Sequence, residues 1–79
     1  MKFTKSMEKV IDKFKAYSLE HYKSVSGGSI LLKEKPTKKK VFYARVFMIG
    51  TPMFQLLVGN KFKGNFIFNK ETKEWDFFE

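Results

Sequence analysis

Seventy-nine residues without a cysteine place the chain near the lower size at which one apolar core holds unaided, and exclude a disulfide framework, a thiolate nucleophile and a cysteine-based zinc site. Ten Phe, three Tyr and one Trp supply large apolar area per residue instead. The net charge of +8 is uneven: residues 1–63 carry 14 Lys and Arg against 4 Asp and Glu, a balance of +10, and residues 64–79 carry 2 against 4, a balance of −2.

Such asymmetry points to an anionic partner, with solvation of an ordinary surface by lysine as the plain alternative. All but one of the 16 cations are Lys. Arginine, the residue that reads phosphates and guanine edges bidentately, occurs only as Arg45, so contact with nucleic acid is expected to be mostly independent of base sequence. The amino end has no apolar run of signal-peptide length, and no stretch nears the roughly 18 apolar residues of a membrane span. No membrane association and a cytoplasmic location are the expectations.

In chain order, Phe3, Met7, Val10, Phe14, Tyr17 and His21 recur at spacings of three and four, the apolar stripe of an amphipathic helix predicted over about 4–25. Thr4 or Ser6 suits its start, and Gly27-Gly28 offers a left-handed stop. The helix lysines lie mostly off the stripe, with Glu8 and Asp12 placed to pair with them at short helical spacings.

A first strand follows at about 29–35, then a turn at Lys35-Pro36-Thr37-Lys38. The second strand, about 40–50, contains the longest apolar run, VFYARVFMIG. With period two it places Phe42, Ala44, Val46 and Met48 on one face and Val41, Tyr43, Arg45, Phe47 and Ile49 on the other. The first face is wholly apolar, so this strand is predicted to be central. Gly50-Thr51-Pro52 breaks it.

A third strand at about 53–58 is followed by Gly59-Asn60, a pair suited to a two-residue hairpin turn. A fourth strand at about 61–69 is predicted to bulge at Gly64; the alternative places the turn at Gly64-Asn65 and shortens both strands. The polar loop Asn69–Glu74 leads to a last strand at about 74–78, whose Glu74 and Asp76 suit an edge. The whole reads as one α+β domain, an N-terminal amphipathic helix packed on a four- to five-stranded antiparallel meander.

Enzyme chemistry has no constellation behind it. His21 is the only histidine, Ser18 its only nearby hydroxyl, and the carboxylates Glu71, Glu74, Asp76 and Glu79 cluster where exposed charge is expected. No glycine-rich phosphate loop occurs, since Gly27-Gly28 precedes a strand. No enzyme, no metal and no cofactor is the expectation.

Two features suggest binding. Lys33, Lys35, Lys38, Lys39 and Lys40 gather at one hairpin tip, where their mutual repulsion calls for a counter-charge. Tyr43, Arg45 and Phe47 put two rings around a guanidinium on one face of a central strand, a platform for unstacked bases. The competing reading makes that face a second core, covered by a second copy or by curling of the sheet. Met53, Leu57 and Ile67 favour it, because they give a ligand nothing to hydrogen-bond.

The leading expectation is a small basic non-enzymatic protein that binds nucleic acid, DNA or RNA, through these lysines, with stacking on the rings. The alternative is a protein-interaction module or inhibitor, of the kind a mobile element encodes, docking on an acidic protein surface. A homodimer through the second face is a further expectation. The segment Leu57–Phe66, LVGNKFKGNF, resembles the strand, tight turn and Gly-bearing strand of Sm-like RNA-binding proteins, although two strands precede it and too few follow. The helix-plus-meander order is similar to cystatin-like folds, without the inhibitory loops of that family. A fold-level likeness assigns no function.

Overall fold

The computed structural model describes residues 3–23 and 28–79. One helix, α1 (Lys5–His21), packs on a five-stranded antiparallel sheet of β1 (Ser29–Glu34), β2 (Phe42–Met48), β3 (Pro52–Val58), β4 (Lys61–Asn69) and β5 (Glu74–Phe78). The strand order is β1-β2-β3-β4-β5, a meander in which each strand pairs with its sequence neighbour. The protein is thus α+β with an N-terminal helix.

Thr4 caps α1: its side chain accepts a hydrogen bond from Met7 N at 3.3 Å, and its carbonyl accepts from Glu8 N at 2.9 Å. Ser6 lies inside the helix. The regular helix ends at His21, earlier than the spacing predicts. Tertiary contact intervenes there: Gly50 N, in the turn after β2, donates to Tyr22 O at 3.0 Å and docks the helix end onto the sheet. Ser24, Val25 and the proposed stop at Gly27 lie outside the described residues.

The helix buries Met7, Val10, Ile11, Phe14 and Ser18, and it packs on β2 and β3. Phe42, Ala44 and Val46 of β2 share one core with the apolar members of this helix set, together with Phe54, Leu56 and Phe66, and Met48 is buried on the same face of β2, as period two predicts. Phe54 is the hub of this core. Its ring stacks on Phe66 with centroids 4.9 Å apart and meets Phe14 and Trp75 edge-on at 5.9 and 5.5 Å. Each such ring taken from water contributes about 1.5–3 kcal/mol, and that is how so short a chain stabilises a core without a staple. Phe3 extends the ring cluster, 5.3 Å from Phe77 and 5.9 Å from Phe66.

Gly59 (φ +62) begins the β3–β4 turn. The ladder shifts between Leu56, opposite Gly64, and Leu57, opposite Phe62. Lys63 is the extra residue of the resulting bulge, and Gly64 takes a φ of +153.

Candidate nucleic-acid interface

Because α1 covers one face of the sheet, the other is bare of any described element. Register assigns its residues. Arg45 of β2 lies opposite Gln55 of β3, and Gln55 lies opposite Asn65 of β4. Leu31 of β1 and Phe78 of β5 end this row at the two sheet edges. Neighbouring strands are about 4.8 Å apart, so the guanidinium and two amides form one short polar line. None of the three side chains bonds another described side chain, and their donors and acceptors face outward.

Apolar rows flank the line. On one side run Phe47, Met53 and Ile67; on the other, Tyr43, Leu57 and Phe62. Tyr43 and Phe47 stand four residues apart on β2, about 13 Å at strand rise, with Arg45 between them. The expected association of Tyr43, Arg45 and Phe47 on one face is present: Arg45 is exposed and the two rings are half-buried. Met53, Leu57 and Ile67 do share the face, but Gln55 and Asn65 alternate with them and supply hydrogen-bonding groups. The signal for those two was available, since each sits mid-strand, ten residues beyond the last polar position of the row.

The lysines divide. Lys33 lies opposite Tyr43 on the open face. Lys38, Lys39 and Lys40 are exposed on the β1–β2 loop, which Lys40 N closes by donating to Thr37 Oγ1 at 3.2 Å. Lys35, just past the end of β1, is exposed beside them and also lines a cleft on the helix side with Ser6, Lys9, Val10, Lys13, Glu34 and Pro36. Antiparallel pairing brings the β3–β4 turn to the same end of the sheet as the β1–β2 loop, adding Lys61 and Lys63 to the basic end. Sequence reasoning treated each hairpin alone and missed this convergence.

Elsewhere, the His21 ring lies against Tyr17, centroids 4.2 Å apart and the planes tilted by 35°, with the Glu20 carboxylate 3.9 Å from Nε2. Ser18 is fully buried, and its Oγ has no hydrogen-bond partner among the described residues. The two are not joined as nucleophile and base. Among the described residues no group of three or more His, Cys, Asp or Glu is placed to hold a metal ion, and no helix is long and apolar enough to cross a membrane.

Comparison with known families, with curated proteins and with solved structures finds no match to the chain.

Proposed function

We propose that the protein is a non-enzymatic binder of single-stranded nucleic acid that uses the open face of its sheet. The observation that supports this most directly is the polar line Arg45–Gln55–Asn65 set between rows that carry Tyr43, Phe47 and Phe62. Unstacked bases lie on the rings, and the guanidinium and amides bond base edges and sugars. Phosphates are held at the basic end by Lys33, Lys38, Lys39 and Lys40, joined by Lys61 and Lys63. A duplex hides its base faces and gains only the phosphate contacts, so it binds more weakly.

The test is a fluorescence titration with labelled single-stranded DNA, single-stranded RNA and duplex DNA, each at low and near-physiological salt. Binding to one or both single strands that persists at near-physiological salt supports the proposal and tells DNA from RNA. Weak binding to all three that vanishes equally with salt makes the lysines a cationic coat and overturns it.

A further inference from the structure

Among the described residues the outer edge of β1 is unpaired. Gly28 O accepts from Met48 N at 3.0 Å, one step beyond the Ser29–Phe47 pair, which sets the phase of the ladder. Alternation then turns the main-chain groups of Ile30, Leu32 and Glu34 toward β2, and those of Ser29, Leu31 and Lys33 outward. No described strand pairs with them. The opposite edge, β5, carries Glu74 and Asp76, charges that discourage further pairing. In β1 the first four residues are uncharged, and Ile30 and Leu31 are 37% and 53% exposed.

Beside this edge, on the helix side, α1 leaves a cleft, because it packs on β2 and β3 and not squarely over β1. One part, of about 390 Å³, has Val10 and Pro36 in its wall and Lys9, Lys13 and Lys35 around it. A second part, of about 200 Å³, continues along Phe14, Tyr17 and Leu32. Lys13 spans the cleft to Glu34 at 2.8 Å. Lys9 and Lys35 have no ion pair with a described residue.

We infer that β1 and this cleft receive an extended acidic and apolar segment of a partner protein, added to the sheet as a sixth strand. Its main chain bonds Ser29, Leu31 and Lys33, the mode of recognition in which backbone pairing supplies affinity and alternate side chains supply specificity. Every second side chain falls on the helix side. Apolar ones rest near Leu32, Phe14 and Tyr17, and acidic ones reach Lys9 and Lys35. Charge selects this occupant over a second copy: pairing β1 with β1 would press together two lysine-rimmed clefts on chains of net charge +8. The site lies apart from the open face and does not depend on nucleic-acid binding.

The probe is a capped peptide as long as β1, six residues, with threonine at every second position and glutamate, valine and valine in turn at the positions between, so that one face carries both the acidic and the apolar side chains; it is titrated into the isotope-labelled full chain and followed by amide resonances and exchange. The expected result is slowed exchange at the amides of Ser29, Leu31 and Lys33, with shifts at Tyr17 and Leu32. Leu31→Pro removes one outward N–H without touching the β1–β2 ladder and weakens binding about five-fold or more. The pair Lys9→Glu and Lys35→Glu, at exposed sites, gives a second test that does not rely on tolerance of proline, and it also weakens binding. Absence of binding, equal binding of the same peptide with lysine in place of glutamate, or unchanged affinity of the double charge reversal overturns the inference. So does a dimer by light scattering that Leu31→Pro dissociates, because the occupant would then be a second copy.

Discussion

Gly64 lies so close to Phe77 that a Cβ at this position would stand 2.5 Å from the Phe77 ring and 2.6 Å from the Phe78 carbonyl oxygen. The bulge on β4 thus draws β5 in tightly enough that only a hydrogen fits between them. Gly64→Ala meets both a steric conflict with main chain and a positive φ of +153. A loss of about 2 kcal/mol or more is expected, read as a lower urea midpoint. A variant that unfolds at the wild-type midpoint would show that β5 shifts freely.

Ser18 supplies the opposite case. Its hydroxyl is buried without a hydrogen-bond partner among the described residues, so it bears a desolvation cost that no bond among them offsets. Ser18→Ala removes that cost and improves helix propensity, and a gain of up to about 1 kcal/mol is expected. A calorimetric melt should show a higher transition temperature, whereas a lower one would mean that the hydroxyl has a role in packing.

On the open face, Tyr43→Ala and Phe47→Ala should each weaken binding of a single-stranded oligonucleotide by about 1–3 kcal/mol. Both side chains are only half-buried, so the fold tolerates their loss better than it would tolerate loss of Phe54. Affinity that is unchanged in both variants, measured by titration calorimetry, would remove the rings from the interface.

The lysine loop should act through salt. Replacing Lys38, Lys39 and Lys40 with glutamine removes three phosphate contacts at most, and at about 0.7 released counterions per single-strand contact the slope of log affinity against log salt should flatten by about 2. A slope equal to that of the wild type would place the phosphates elsewhere on the molecule.

Lys13 and Glu34 bond at 2.8 Å, but Lys13 is 70% exposed. A double-mutant cycle on folding stability should therefore return a coupling below about 1 kcal/mol that shrinks with added salt. A large, salt-insensitive coupling would mean that the cleft is closed to solvent.

How much of this was legible beforehand differs from element to element. The alternation of Phe42, Ala44, Val46 and Met48 identified the covered face, because each strand position is read directly by period two. Gly59-Asn60 marked the hairpin and Gly64 the bulge, because glycine reports backbone demands that are local. The end of α1 was not legible, since it depends on Gly50 reaching Tyr22 from the far side of a turn. The line Arg45–Gln55–Asn65 leaves only its ten-residue mid-strand spacing as a signal in the sequence, because it forms only when three strands are in register.

The meander also bears on how the chain reaches its native state. With every strand beside its sequence neighbour, sheet growth closes only short loops, the condition under which folding is rapid. The helix is the exception in timing. It leaves the ribosome before β2 and β3, so the stripe of Met7, Val10, Ile11 and Phe14 stays uncovered until those strands emerge. During that interval the like charge of the lysines on its other face opposes association of that stripe with neighbouring chains.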